Sequence, residues 1–187
     1  MALTISHGRR ERINYAGATY HITNRCNNKE TLIKDDLDFK KYRSVLKKCK
    51  EAYGFKLHGY SILHNHTHLL IRLETIPDIS KIMHSINRWY ARWYNEYYER
   101  NGHFWEDRFY GKLIKDDYQL LAVMRYLDLN PVRAGLCAHP ADWEHSGARF
   151  YLGVQKDDLL DAPEAYINLG SSQESRIKSY SCIFPLT

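Results

Sequence analysis

Apolar spacing changes character along this chain, and the order of the changes leaves few folds open. Residues 19–25, Thr-Tyr-His-Ile-Thr-Asn-Arg, are β-formers and predict a strand. Leu37, Phe39, Tyr42, Leu46, Cys49 and Tyr53 then recur at helical spacing after Asp35 and Asp36, either of which can cap a helix that Gly54 ends. Two strands are predicted at 55–63 and 66–73, with His64-Asn65 as the tight turn of a hairpin. Pro77 suits the first turn of a long helix reaching about Arg100, which buries Ile79, Met83, Ile86, Tyr90, Trp93 and Tyr97. A strand-like piece from His103 to Ile114 follows. Asp116 or Asp117 then caps a helix ending near Leu129, where Pro131 is expected to stop it. Strand, helix, strand, strand, helix, strand, helix is the order of an α+β domain with a ferredoxin-like antiparallel sheet and helices packed on it, with one further helix near the C-terminal end.

The sequence divides at Gly153. Residues 1–153 read as one domain, with Pro140, Trp143 and Ala148 to Leu152 packing back on it. Residues 154–187 are acidic and then Ser-rich, and read as a weakly ordered tail able to lie over a basic groove. Charge is unevenly spread. Residues 1–115 carry 21 Lys/Arg against 12 Asp/Glu, whereas residues 116–187 carry 6 against 10. Lys40, Lys41, Arg43, Lys47, Lys48 and Lys50 give the first helix a basic outer face. A basic body suits a polyanionic partner. Arginines interleaved with 15 tyrosines and four tryptophans suit stacking on unpaired bases, as well as an aromatic core. With 44% hydrophobic residues the chain is too apolar to be mainly disordered. There is no apolar run of about 18 residues and no apolar stretch in MALTISHGRR, so a cytoplasmic protein is expected. Cys26, Cys49, Cys137 and Cys182 form no C-x-x-C pair, which argues against a zinc knuckle or a disulfide framework.

The sharpest chemical signal is His64-Asn65-His66-Thr67-His68-Leu69-Leu70. Side chains alternate along a strand, so His66 and His68 share a face with Cα atoms roughly 6.5–7 Å apart, a spacing at which two neutral imidazoles can chelate one divalent metal. Solvent exposure or local hydrogen bonding is the plainer alternative. A three-histidine row also suggests a histidine-triad nucleotide hydrolase, but Asn65 and Thr67 stand where that pattern needs apolar residues, and His64 falls in the turn. The second signal is Tyr126 and Asn130, one turn apart on the last helix. Should that helix lie beside the histidine strand, one metal can join His66, His68 and Asn130, with Tyr126 nearby as an activated nucleophile.

Several blocks occur in order: Tyr20-His21-Ile22-Thr23-Asn24-Arg25, Gly59-Tyr60-Ser61-Ile62-Leu63, Asn65 to Leu70, Trp105-Glu106-Asp107-Arg108-Phe109, Tyr126 to Arg133, and Asp142-Trp143-Glu144-His145-Ser146. In these blocks the chain resembles, over roughly residues 14–152, the REP-associated tyrosine transposases, a branch of the single-tyrosine HUH transposases. Thr67 replaces a bulky apolar residue and His64 a proline or acidic residue, and neither change removes a catalytic group. The resemblance implies a metal-dependent endonuclease and strand transferase for DNA transposition and recombination. Its substrate is single-stranded or hairpin DNA, cut through a 5′-phosphotyrosine intermediate. It implies Tyr126 as the nucleophile, His66, His68 and Asn130 as ligands of Mg²⁺ or Mn²⁺, and a monomer or homodimer. Arg25, Arg72, Arg88, Arg92, Trp105, Arg108 and Arg133 are the candidate DNA contacts. A non-catalytic nucleic-acid binder on the same fold is the competing reading.

Overall fold

The computed structural model describes residues 14–76 and 78–182; the expected role of Pro77 lies outside the described residues. The elements are β1 (Thr19–Arg25), α1 (Asp36–Tyr53), β2 (Lys56–Ile62), β3 (His66–Arg72), α2 (Ile79–Tyr97), β4 (Tyr110–Leu113), α3 (Asp117–Arg133), α4 (Ala148–Tyr151), α5 (Glu164–Ile167) and α6 (Gln173–Ser181), with 3-10 turns at Asn27–Lys29 and Pro140–Asp142. The strands form one sheet in the order β2-β3-β1-β4, and neighbours are antiparallel throughout. This is the expected α+β, ferredoxin-like arrangement.

Local chemistry fixes the helix ends. Asp35 caps α1 and forms a reciprocal box with Asp38, while Gly54 closes it at φ 62, in the left-handed region that glycine enters freely. Asp116 caps α3 by accepting from the Gln119 amide at 2.7 Å. In α2 the buried stripe is Ile79, Ile82, Met83, Ile86, Tyr90 and Tyr94. Tyr94, not Tyr97, continues it, because Tyr94 lies one turn from Tyr90 and Tyr97 is turned outward.

The two faces of the sheet are covered differently. Tyr42 of α1 shares a 3.2 Å hydrogen bond with Thr67, and Asn24 donates to Asn87 of α2 at 2.6 Å, so Tyr20, Ile22, Asn24, Thr67, Leu69 and Ile71 face α1 and α2. Thr67 thus fills its unusual place with a bonded hydroxyl. His21, Thr23, His66, His68 and Leu70 face the other way, toward α3. Gly59 lets α3 settle close, since a Cβ there would meet Leu127 Cδ2 at 3.4 Å.

Three boundaries differ from the sequence reading. Helix α3 continues through Pro131 to Arg133. The proline sits in the last turn, where few carbonyls lose a partner, and the Ala134 amide still reaches Asn130 O at 2.9 Å. The strand after α2 is only Tyr110–Leu113, because Trp105 is tied back by its indole N–H to Asn87 O at 3.1 Å and bridges Cys26. Most importantly, residues 154–182 are packed rather than weakly ordered. Asp157 is buried, accepts from both Arg43 guanidinium nitrogens at 3.1 and 3.0 Å, and takes the Tyr60 hydroxyl at 2.6 Å. Asp158 and Asp161 pair with Lys47 and Lys50, each at 2.7 Å. The acidic segment therefore pairs with Arg43, Lys47 and Lys50 of α1. Tyr166 and Tyr180 complete an aromatic cluster with Tyr151. Among the described residues no helix is long and apolar enough to cross a membrane.

Candidate active site

The site lies on the α3 face, where β1, β3 and β4 present their side chains beneath Tyr126. The register sets His66 opposite Arg25, and His68 opposite Thr23. The His66 and His68 ring centres are 5.0 Å apart, and the Tyr126 ring stands 5.4 Å from His68. Tyr126 is 37% exposed, enough for its hydroxyl to meet a substrate while the ring stays held. Arg133, two turns further along α3, places its guanidinium 5.4 Å from the Tyr126 ring centre. Continuation of the helix through Pro131 makes that contact. The Asn130 side chain is buried and hydrogen-bonds His66.

The cleft in front of these groups has a volume of about 390 Å³ and is lined by Thr23, Arg25, His66, His68, Glu106, Asp107, Arg108, Tyr110 and Tyr126. A second cleft of about 690 Å³ shares Glu106, Asp107 and Arg108 with it, and adds His84, Arg88, Phe104 and Trp105. Of the candidate DNA contacts, Arg25 and Arg108 line the first cleft, Arg133 stands against the Tyr126 ring, and Arg88 and Trp105 line the second. Two stand apart. Arg72 lies at the far end of β3 and pairs with Glu74 at 2.9 Å, and Arg92 pairs with Glu96 at 2.7 Å on the outside of α2.

Electrostatics keep the histidines neutral. Burial pulls His68 down to about 2, and the neighbouring His66, His21 and Arg25 add to the effect. Burial also lowers His66, with Arg25 as the next cause, and takes His21 down to about 4. Neutral imidazole is the form that binds a metal. Asn65 donates to Lys29 O at 3.4 Å, which turns its carbonyl oxygen to accept from His66 Nδ1 at 2.6 Å. That network puts the proton of the neutral ring on Nδ1 and leaves Nε2 as its lone-pair nitrogen, so the bond to the Asn130 oxygen, which can only accept, belongs to the charged ring that it favours. On His68, Nε2 is buried without a partner, as is Asn130 Nδ2. Two lone-pair nitrogens and an amide, with a buried nitrogen left unpaired, fit a divalent cation. Among the described residues no group of three His, Cys, Asp or Glu side chains is placed for a metal.

His64 takes no part. It bonds Ile33 O through Nδ1 at 2.7 Å and packs on Phe39 and Trp143, so no three-histidine row forms. Sequence reasoning missed His21, Thr23 and Tyr110. Their sign was present in the alternation of His21 and Thr23 on β1, but it needed the β1–β3 register to be read.

Comparison with known proteins gives the family and the fold. The family model described as "Transposase IS200 like" matches residues 14–130, well over half the chain. The chain belongs to the IS200-like transposase family. A Haemophilus influenzae (strain Rd) protein provisionally named as a REP-associated tyrosine transposase is 30% identical over 116 residues, which span 56% of this chain and 65% of that relative. The chain therefore matches slightly less than two thirds of the relative's length. A solved structure of a REP-associated tyrosine transposase bound to a REP hairpin superposes with a TM-score of 0.66 at 19% identity, over 82% of this chain and 96% of the solved one. At that identity the likeness is one of fold.

Proposed function

We propose that this transposase nicks and rejoins single-stranded or hairpin DNA through a 5′-phosphotyrosine on Tyr126. One observation carries the reading: a part-exposed tyrosine stands over two neutral histidines at the floor of an arginine-lined cleft. The family membership and the relative solved with a REP hairpin favour hairpin DNA as substrate.

The Tyr126 oxygen attacks the scissile phosphorus and its proton passes to solvent. The bond from phosphorus to the 3′-oxygen breaks, and that oxygen leaves with the electron pair and is protonated. The phosphotyrosine keeps the phosphodiester, so a 3′-hydroxyl reverses the step without a nucleotide cofactor. His66, His68 and Asn130 would hold Mg²⁺ or Mn²⁺, which when bound neutralises charge on the phosphate oxygens. Imidazole ligands favour Mn²⁺ over the oxygen-seeking Mg²⁺. Arg25 and Arg108 hold the strand at the mouth of the cleft, and Trp105 and Arg88 meet it next door.

The test is incubation with a library of single-stranded hairpins and Mn²⁺. A detergent-stable protein–DNA adduct with a free 3′-hydroxyl is expected. Tight DNA binding with no adduct at any hairpin would instead mark a non-catalytic binder.

A further inference from the structure

Among the described residues, His21 is the one titratable side chain packed against both the His68 and Tyr126 rings that the proposed reaction leaves without a task. On β1 it points to the α3 face, with its ring 5.2 Å from His68 and 5.7 Å from Tyr126. Its Nε2 lies 3.0 Å from His68 Nδ1, and the Thr23 hydroxyl oxygen lies 3.1 Å from the same nitrogen. Two partners thus converge on one nitrogen of His68, while the other, Nε2, is buried with none.

This asymmetry decides which nitrogen holds the proton. With the proton on Nε2, a buried N–H faces no acceptor, at a cost of about 1–3 kcal/mol. With the proton on Nδ1, that N–H donates to His21 and Thr23, and Nε2 keeps its lone pair. The second arrangement wins. It is also the one a metal ligand needs, since the hydrogen bond at one ring nitrogen sets the tautomer and orientation of the other.

We propose that His21 is a positioning residue for the cation site, which by accepting from His68 Nδ1 holds the His68 ring with its Nε2 lone pair ready to bind a divalent cation. The cation half rests on the reading given above, whereas the tautomer half stands without it. Thr23 supports the same nitrogen as the weaker partner, since a hydroxyl rotates and also serves as donor. The Tyr126 ring packs edge-on against His21.

Two measurements on the full chain test this separately. The first is nitrogen-15 NMR of the histidine rings without metal. His68 is expected as the Nδ1–H tautomer in the wild type, and as a mixture in His21→Leu, whose side chain keeps the packing but cannot accept. An Nε2–H His68 in the wild type overturns the inference whatever the metal does. The second is calorimetric titration with Mn²⁺ alone. His21→Leu is expected to weaken uptake by about 10–100-fold. His21→Gln, whose amide oxygen accepts, should recover most of it, with thermal melting confirming a folded protein. Equal Mn²⁺ affinity in His21→Leu and wild type, or equal loss in His21→Gln and His21→Leu, overturns the positioning role. Failure of the cation reading shows differently: the wild type takes up no Mn²⁺, or His68→Ala takes it up as well as wild type, and either outcome refutes the metal half.

Discussion

Asp128→Asn should make this fold more resistant to alkaline pH. Asp128 lies on α3 between Tyr126 and Asn130, is buried, and accepts from the Tyr180 hydroxyl of α6 at 2.7 Å. Burial raises its carboxyl from 3.8 to about 7, with the Tyr180 hydrogen bond acting in the opposite direction. The folded state therefore binds a proton that the unfolded chain has released. Stability from this group is full below about pH 4 and falls as pH rises toward 7. Each tenfold difference in proton affinity between the folded and unfolded chain is worth about 1.4 kcal/mol. Between pH 5 and pH 8 the wild type should lose about 2–3 kcal/mol that Asp128→Asn does not, because the amide is neutral at both and its oxygen still accepts from Tyr180. Urea unfolding at pH 5, 6, 7 and 8 reads the difference directly. Parallel curves for the two proteins would refute the claim that α6 covers a carboxyl held largely neutral.

Other consequences are as direct. Truncation after Gly153 removes Asp157 from Arg43 and Tyr60 and uncovers Tyr151, so it should cost several kcal/mol and yield unfolded or aggregated protein, seen by circular dichroism and gel filtration. His66→Ala should abolish Mn²⁺-dependent cleavage while leaving hairpin affinity within a few-fold, whereas His64→Ala should cleave normally; equal losses in both would place the chemistry elsewhere. Hairpin binding should weaken steeply with salt, and Arg25→Ala or Arg108→Ala should each flatten the log–log slope by about 1, with Arg92→Ala leaving it unchanged.

Much of this was legible in the sequence because local rules decided it. Capping by Asp35 and Asp116, the stop at Gly54 and the His64-Asn65 turn are set within a few residues. The shared face of His66 and His68 and the one-turn spacing of Tyr126 and Asn130 were legible through strand alternation and helical spacing, whereas their union in one site rested on the family resemblance. What escaped depends on partners distant in the chain. The order within 154–182 rests on Asp157, Asp158 and Asp161 meeting lysines and an arginine of α1, and on Tyr166 and Tyr180 meeting Tyr151. None of these carries a local periodicity. The same holds for His21, which reads as an ordinary strand residue until the register sets it beside His68. Pro131 misled because packing in the final turn of α3 outweighs the local preference of the residue before it.

The central claim is that Tyr126 forms the covalent bond to DNA. Tyr110 lines the same cleft and Tyr118 is exposed on the first turn of α3, so both are physical rivals. Tyr126→Phe deletes one hydroxyl from a part-exposed ring and should change stability by less than about 1 kcal/mol. The decisive measurement is mass spectrometry of the digested adduct formed with a cleavable hairpin and Mn²⁺, run beside Tyr126→Phe. The expected result is a 5′-phosphate on the peptide containing Tyr126 and no adduct in a variant that still binds hairpin and Mn²⁺. Phosphate on Tyr110 or Tyr118, or undiminished cleavage by Tyr126→Phe, would contradict it.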